Sequence, residues 1–211
     1  MTRSPSATVH PTPHDDAAVP GNVATGRLLS DWPLPLGKAR VVVRALRAQD
    51  TDAFLAYRSD PEVARYQGWS TMELAAAREF IRTMEGVTGP NAGAWIQLAI
   101  ALSEGDLLIG DIGLWLSQDG KSAQIGYSCA QAFQRQGLTT EAVRIVIDAL
   151  VRFTPCETIR ATVDARNVAS ERLLLGLAFR RAETAMPELG GSDAGELVYE
   201  LDLPADPAYR A

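Results

Sequence analysis

The chain of 211 residues is 46% hydrophobic and 22% charged, proportions typical of a globular protein that buries its core without disulfides. Its formal net charge of −6 argues against nucleic acid as the main partner, because phosphate binding requires a basic surface. No run of about 18 apolar residues occurs, which excludes a helical membrane span, and no apolar segment follows Arg3, so we expect no secretory signal.

Cysteine and histidine usage limits the available chemistry further. The two cysteines, Cys129 and Cys156, lack CxxC spacing, and we expect a reducing, cytoplasmic setting and no metal. The two histidines, His10 and His14, lie in an aperiodic segment rich in Pro, Ser, Thr and Ala. A Ser-His-Asp triad, a Cys-His pair or a histidine zinc site in the core is therefore not expected. The chemistry must rely on backbone groups, carboxylates, hydroxyls or water.

The chain is predicted to have one domain with a tail at each end. Residues 1–37 form the N-terminal tail, partly disordered and partly strapped to the domain by apolar residues that include Trp32 and Leu36. The domain covers residues 38–203, and residues 204–211 are a C-terminal tail.

The first part of the domain is predicted to be a strand followed by three helical segments. The strand covers residues 40–44, and a helix covers residues 50–58. Asp60-Pro61 has the pattern of an N-cap followed by a first helical residue. Residues 70–73 form a capping box that starts a third helix, which Gly86 ends.

The second part is predicted to be a three-strand meander followed by alternating strands and helices. The alternation of apolar residues from 96 to 102 indicates a strand, and Asp119-Gly120 is a hairpin signal between strands 107–116 and 122–129. The later elements are a helix at 137–153, a strand at 158–164, a helix at 168–177, and strands at 179–183 and 196–201. Because a strand–helix–strand step implies a parallel pair, we predict a mixed α/β (α+β) sheet with helices on both faces.

Residues 125–142 carry the most informative pattern, a strand that leads through a polar loop into a helix. Free amides at a helix N-terminus bind phosphate or pyrophosphate; Gly137 allows close backbone approach, and Arg135 adds positive charge. The segment is neither a GxGxxG nor a P-loop motif, since no Lys-Ser/Thr follows the glycine. Taken alone, it favours an ordinary strand-to-helix connection over a ligand site.

A second segment favours a ligand site over an ordinary connection. Residues 167–179 follow the next strand at the spacing of a second half-site. Together the two segments resemble the GCN5-related N-acetyltransferase (GNAT) family, especially its branch of ribosomal-protein and small-amine acetyltransferases. Gln134-x-x-Gly137-x-Thr139 is similar to the family's Q/R-x-x-G-x-G/A pattern. Residues 167–179 are similar to its N-x-x-S…L-G-F ending. Residues 65–69 are similar to the ribosomal-protein and small-amine branch. The resemblance covers roughly residues 38–203.

Two residues depart from the family pattern. Thr139 replaces a small Gly or Ala, and it either crowds a pyrophosphate or donates its hydroxyl to it; we favour donation, because Thr at a helix start is a good cap and donor. Ala178 replaces the glycine before Phe179, and we expect it to affect packing only.

The resemblance implies a single domain with a mostly antiparallel sheet of six to seven strands and a coenzyme A site where two strands splay apart. The pantetheine arm lies between the strand that ends at Cys129 and the strand at 158–164, and the pyrophosphate lies on the amides of residues 136–140. A backbone amide near Cys129 stabilises the oxyanion. The implied cofactor-binding residues are Ser128, Cys129, Ala130, Gln134, Arg135, Gln136, Gly137, Leu138, Thr139, Thr140 and Asn167.

The catalytic assignment rests on Ser170, which falls in the first turn of its helix. Its hydroxyl either protonates the leaving sulfur or is a second capping group beside the N-cap Asn167. Many members of the family carry Tyr nearby, where this helix has Leu173 and Leu174, so water is the alternative acid. Cys129 is not expected to be a nucleophile, because no histidine activates it. No general base is assigned, and Asp111 either marks the acceptor pocket or faces solvent.

Aromatic residues are the candidates for the acceptor wall. Tyr66 and Trp69 suit this role together with the glycine-rich loop at 186–195, whereas Trp115 is more typical of a core residue.

The function that the resemblance implies is transfer of an acetyl group from acetyl-CoA to a primary amine through a tetrahedral intermediate. The acceptor is a protein N-terminus, a small amine or an aminoglycoside. The alternative is a non-catalytic module that holds an acyl-CoA for regulation. The partners are acetyl-CoA and the amine, without nucleic acid or membrane, and a homodimer is possible.

Overall fold

The computed structural model describes residues 32–37, 39–67, 72–182 and 195–204. Residues 1–31 of the predicted tail, the predicted wall residue Trp69, part of the capping box and loop residues 183–194 lie outside this set, as do residues 205–211.

The helices and strands follow the predicted order. β1 is Val41–Ala45, and a 3-10 turn at Ala48–Asp50 leads into the first helix. The next elements are α1 (Thr51–Arg58), α2 (Pro61–Ala64), α3 (Leu74–Met84), β2 (Trp95–Leu102), β3 (Leu108–Leu116) and β4 (Ser122–Cys129). They are followed by a 3-10 turn at Gln131–Phe133, α4 (Leu138–Phe153), β5 (Thr158–Asp164), α5 (Val168–Gly176), β6 (Arg180–Arg181) and β7 (Glu196–Asp202).

The seven strands of the described residues form one sheet in the order β1-β2-β3-β4-β5-β7-β6. Neighbouring strands are antiparallel except β4 and β5, which are parallel and joined by α4. The predicted Asp119-Gly120 turn joins β3 to β4, and Gly120 has a φ of +74, a left-handed conformation that glycine adopts without a Cβ clash. The predicted mixed, mostly antiparallel sheet is confirmed.

Helices cover both faces of this sheet, as predicted. On one face the strands pack against α4 and α5, in a core that includes Val146 and Leu174. On the other face α1 and α3 pack against the sheet, and Phe54, Ile81 and Ala99 are buried between them. Period two along the strands therefore separates two hydrophobic cores.

Residues 32–37 belong to the larger core. Trp32 and Leu36 are buried in it, and Leu36 exchanges two backbone hydrogen bonds with Val43 in β1. None of the helices in the described ranges is long and apolar enough to cross a membrane.

The parallel strands β4 and β5 are paired over only part of their length. Residues Ser122, Ala123 and Gln124 of β4 pair with Thr158, Ile159 and Arg160 of β5. Both strands continue beyond these pairs, β4 to Cys129 and β5 to Asp164. The strands therefore diverge toward their C-terminal ends and leave a gap, which is the splayed pair that the family resemblance implies.

Candidate active site

The gap between β4 and β5 opens into a pocket. Its lining comes from both strands of the gap, from β2 and β3, and from the ends of α1, α2 and α5. The lining residues used below are Arg58, Tyr66, Trp95, Gln97, Gly113, Gln124, Gly126, Tyr127, Asp164, Asn167 and Ser170. The pocket lies at the carboxyl ends of a parallel pair, where ligand sites in α/β sheets commonly occur.

Ser170 and Tyr127 form a hydrogen-bonded hydroxyl pair in this pocket. The Tyr127 Oη lies 2.9 Å from the Ser170 Oγ and 3.2 Å from the Ser170 carbonyl oxygen. Burial raises the pKa of Tyr127, and the hydrogen bond to Ser170 only partly offsets this. Tyr127 therefore stays protonated at neutral pH and is able to donate a hydrogen bond. The sequence indicated Ser170 but not Tyr127, which is one of several tyrosines and is marked by no motif.

The N-cap of α5 is Asn167, as predicted. Its Oδ1 accepts a hydrogen bond of 3.1 Å from the Ser170 backbone N–H. The Ser170 hydroxyl contacts Tyr127 and no helix amide, so the structure gives no support to the alternative of Ser170 as a second capping group.

The loop before α4 holds a left-handed glycine at the start of the helix. Gly137 is the N-cap, with a φ of +74, and Arg135 also has a positive φ of +61. The first regular helical hydrogen bond runs from the Glu141 N–H to the Gly137 carbonyl, so the amides of residues 138–140 precede the ladder and point out of the helix end. Leu138 packs in the core and fixes that end in place.

Side-chain amides hold the same loop from within. Gln134 Nε2 donates to the Cys129 carbonyl at 2.9 Å, and Gln136 Nε2 donates to the Ala132 carbonyl at 3.0 Å. The predicted cofactor contact of Gln134 stays a prediction, and the side chain of this residue shapes the loop. The backbone N–H of Ala130 also has a partner, the Ile109 carbonyl at 2.8 Å. That amide already belongs to the sheet, which weakens its predicted pairing with pantetheine.

Arg40 anchors the loop from a distant part of the chain. Its Nη1 donates to the Gln136 carbonyl at 2.9 Å, and its Nε donates to Glu141 at 2.8 Å. Burial alone raises the pKa of Glu141, but hydrogen bonds from the Arg40 amide and guanidinium outweigh it and lower that pKa. The sequence placed Arg40 in the first strand, and no local pattern relates it to a loop 96 residues away.

Cys129 ends β4 at the edge of the same loop and is half-buried. Burial raises the pKa of its thiol; the nearby Thr139 hydroxyl acts in the opposite direction, and the charge of Asp111 adds to the rise. The side chain is therefore a neutral thiol at pH 7. A residue in that state is a poor nucleophile, as predicted from the lack of histidine.

Asp111 is fully buried and paired with Arg58. The Asp111 Oδ2 accepts hydrogen bonds from Arg58 Nε at 3.1 Å and from Arg58 Nη2. Asp111 therefore does not face solvent, and its charge is balanced by an equally buried guanidinium. Because Asp111 is completely buried, ion-paired and not part of the pocket lining, we do not assign it as the general base.

The remaining predicted residues lie around the same gap. Ser128 is buried and pairs with Asp111 across β3 and β4, while Thr139 and Thr140 are half-buried in the first turn of α4. Tyr66 lines the pocket, whereas Trp115 is half-buried but does not line it. Trp95 lines the pocket and was not singled out from the sequence.

A mixed sheet in which one parallel pair of the described strands opens beside a helix N-terminus matches the acyl-CoA N-acyltransferase fold. The chain belongs to the GNAT family: the family model for the acetyltransferase (GNAT) domain matches residues 40–180. The uncharacterized N-acetyltransferase YoaA of Bacillus subtilis is 32% identical over 144 residues, which cover 67% of this chain and 80% of YoaA.

Solved structures show the same fold. A GNAT acetyltransferase from Bacillus anthracis superposes with a TM-score of 0.67 at 19% identity, over 80% of this chain and 98% of that one. Mycobacterium smegmatis RimJ, solved in complex with a CoA disulfide, gives a TM-score of 0.63 at 19% identity, over 81% of this chain and 88% of RimJ. As a GNAT acetyltransferase, the chain is an acyltransferase whose cofactor is acetyl-CoA.

Proposed function

We propose that the chain transfers the acetyl group of acetyl-CoA to a primary amine by direct attack of the amine on the thioester. The observation that carries this proposal is the hydroxyl pair of Tyr127 and Ser170 inside the gap between β4 and β5. The pair supports the proposal because it would offer a proton to the departing sulfur, which the family resemblance assigns to this gap.

The cofactor would be held by the chain's backbone groups more than by its charges. The amides of residues 138–140 lie at the N-terminus of α4 next to the gap, where the helix dipole favours a pyrophosphate. The space beside Gly137 is open to a ligand, since a Cβ built there would meet only the Arg40 Nη2 at 3.6 Å. The partly unpaired edges of β4 and β5 offer main-chain groups to the amides of the pantetheine arm.

Ser170 would protonate the leaving thiolate and then regain a proton from water, which takes up the proton that the ammonium group loses. Tyr127 would position Ser170. If the Tyr127 hydroxyl donates to the Ser170 Oγ, the serine proton is free to point into the pocket. The deprotonation of the incoming ammonium group is left to water, because the buried carboxylate Asp111 is already paired with Arg58.

The alternative is a non-catalytic module that binds an acyl-CoA for regulation. A binding module needs only the loop before α4 and the gap. This chain also has a pocket that extends beyond the gap to Trp95 and Gln97 on β2. That extra space suits a second substrate, and it favours the transferase.

The deciding experiment follows release of free coenzyme A thiol from acetyl-CoA with a panel of primary amines, next to calorimetry of acetyl-CoA binding. The panel contains a peptide with a free N-terminus, a simple alkylamine and an aminoglycoside. A transferase releases thiol in proportion to acetylated amine. Saturable acetyl-CoA binding without thiol release above the amine-free background would establish the binding module instead.

The wider assignments made from the sequence belong to the same proposal. Residues 38–203 would form the catalytic domain, and the free cysteines Cys129 and Cys156 suit a cytoplasmic enzyme. A homodimer would be tested by the mass of the protein in solution.

A further inference from the structure

Two buried glutamines on the sheet face the pocket. Gln97 on β2 is 8% exposed and Gln124 on β4 is 7% exposed, and both line the pocket. Neither side-chain amide forms a hydrogen bond with another residue in the part of the chain that the structure describes. Their carboxamide atoms are not among the fully buried, unpartnered side-chain atoms of the described residues, so they are open to the pocket and able to pair with a ligand.

The sheet register puts both glutamines on the same face, and the β3 residue beside Gln124 is Trp115. Gln97 pairs with Gly113 of β3, and Gly113 pairs with Gly126 of β4, two residues after Gln124. A Cβ at Gly113 would lie 3.2 Å from the Gln97 Oε1, whereas a Cβ at Gly126 would meet no atom within 4 Å. The Gln97 carboxamide and the Trp95 ring, 3.5 Å from that Cβ position, therefore cover Gly113. The open patch lies over Gly126, where a flat polar group fits beside both glutamines.

The charged groups in the lining are already in ion pairs. Arg58 is paired with Asp111, and Asp164 binds Arg166 at 2.6 Å. The described lining therefore holds no unbalanced carboxylate for a polycationic acceptor. Recognition here depends on neutral hydrogen bonds, for which each carboxamide offers both a donor and an acceptor.

We infer that Gln97 and Gln124 form the acceptor subsite and bind a peptide group next to the reacting amine. A peptide group has one N–H and one C=O in a plane, which the two carboxamides beside the open patch at Gly126 are able to pair. Trp95 and Tyr66, which also line the pocket, would contact the adjoining side chain. This inference rests on the proposed acetyl transfer and adds the class of acceptor, the free N-terminus of a peptide.

The test measures acceptor preference in the full-length protein. The acceptors are the tripeptide Ala-Ala-Ala, isopropylamine and spermidine, and the readout is kcat/KM for thiol release. The variants are Gln97→Met and Gln124→Met, which keep side-chain volume and remove hydrogen bonding. Gln118→Met, on the exposed turn after β3, is the matched control. Acetyl-CoA affinity and the denaturant midpoint are measured for each protein.

We expect the parent to prefer the tripeptide to isopropylamine, and each pocket variant to lower that preference. The loss should be roughly fivefold per glutamine, the size of one net hydrogen bond. Because the preference is a ratio within one protein, the different basicities of the amines cancel between variant and parent. Acetyl-CoA affinity should stay unchanged, and Gln118→Met should behave as the parent does.

Other outcomes overturn the inference. An unchanged preference in either folded variant would show that the glutamines are hydrated core residues. A parent that acetylates isopropylamine or spermidine but not the tripeptide would contradict the peptide subsite and leave acetyl transfer intact. If none of the three amines gives thiol release, the proposed function itself is overturned, and the subsite with it.

Discussion

The side-chain oxygens of Tyr127 and Ser170 lie 2.9 Å apart and connect β4 to α5 across the gap between β4 and β5. This contact explains how a serine without a histidine or an aspartate partner could take part in proton transfer. The Tyr127 hydroxyl stays protonated because its burial raises its pKa, so it is able to donate to Ser170. The Ser170 proton is then available to a leaving thiolate.

Replacing Ser170 by alanine tests its role as general acid. We expect Ser170→Ala to lower kcat strongly and to change acetyl-CoA affinity little, because the hydroxyl would act on the leaving group only. General acids contribute about 10²- to 10⁴-fold, and a water in the place of the hydroxyl reduces that loss. Thiol release at saturating substrates measures kcat, and calorimetry measures affinity. A kcat within twofold of the parent would remove Ser170 from the mechanism.

Tyr127→Phe is the control for the pair. If Tyr127 acts by positioning Ser170, its single variant should lose less activity than Ser170→Ala. The double variant should then be no slower than Ser170→Ala alone, because the two residues act as one unit. Additive losses in the double variant would show that Tyr127 has an independent role.

Cys129→Ala should retain most of the activity. The thiol is neutral at pH 7, because burial raises its pKa, and direct transfer requires no acetylated enzyme. Double-reciprocal plots of initial rate, with acetyl-CoA and amine both varied, should give intersecting lines. Parallel lines, or an acetyl group found on Cys129 by mass spectrometry after incubation with acetyl-CoA, would contradict direct transfer.

Much of the fold could be predicted from local patterns. Three local patterns depend only on neighbouring residues: the alternation of apolar residues along strands, the Asp119-Gly120 turn and the Asp60-Pro61 cap. The elements that they predict are present. The errors lie at element ends: β1 begins one residue later than predicted, and Gly137 caps α4 instead of forming its first residue. Ends are set by which amides find partners, and that depends on the rest of the fold.

The site was predicted less completely, because several of its contacts join residues that are far apart in the chain. Ser170 and Gly137 belong to motifs that are visible in the sequence. Arg40 reaches the loop before α4 across 96 residues, and Gln97 reaches the pocket through pairing of β2 with β3. A buried polar residue on a strand has no signature until the sheet register shows which face it occupies.

Gly137 is expected to be required for its backbone conformation as well as for its lack of a side chain. Its φ of +74 is costly for a branched residue, so Gly137→Val should displace the loop and lower acetyl-CoA affinity sharply. Gly137→Asn is the matched control, because Asn tolerates this conformation, and it should bind more tightly than the Val variant. Calorimetry on folded proteins measures both. Equal affinity for Gly137→Val and the parent would contradict the pyrophosphate site.

The ion pair of Arg40 and Glu141 should give the loop a defined pH dependence. The pKa of Glu141 is lowered in the fold, so its contribution is complete above the ordinary value of 4.5 and is lost as pH falls through the lowered value. The ion pair should therefore contribute fully to acetyl-CoA affinity at neutral pH, and affinity should fall only when acid protonates Glu141. Glu141→Gln should reduce affinity at neutral pH only about two- to threefold, because Arg40 is largely exposed. Calorimetry of parent and variant from acidic to neutral pH measures acetyl-CoA affinity. A loss above tenfold for Glu141→Gln at neutral pH would show that the ion pair contributes more than an exposed pair does.

Ala178→Gly should stabilise the protein, which corrects the expectation that this residue affects packing only. Ala178 has a φ of +66 and follows α5, where the Phe179 N–H bonds to the Leu174 carbonyl and the Ala178 N–H to the Leu175 carbonyl. These bonds define a Schellman motif, whose left-handed residue is usually glycine. Alanine there costs about 1–2 kcal/mol, and the extra freedom of glycine in the unfolded chain offsets part of the gain. We expect a net gain of about 0.5–1 kcal/mol in the free energy of unfolding, measured by denaturant titration. Ala76→Gly, on the exposed side of α3, is the matched control and should cost a similar amount, because its backbone is helical. A loss of stability in both variants would show that Ala178 is not strained and that its methyl group contributes by packing.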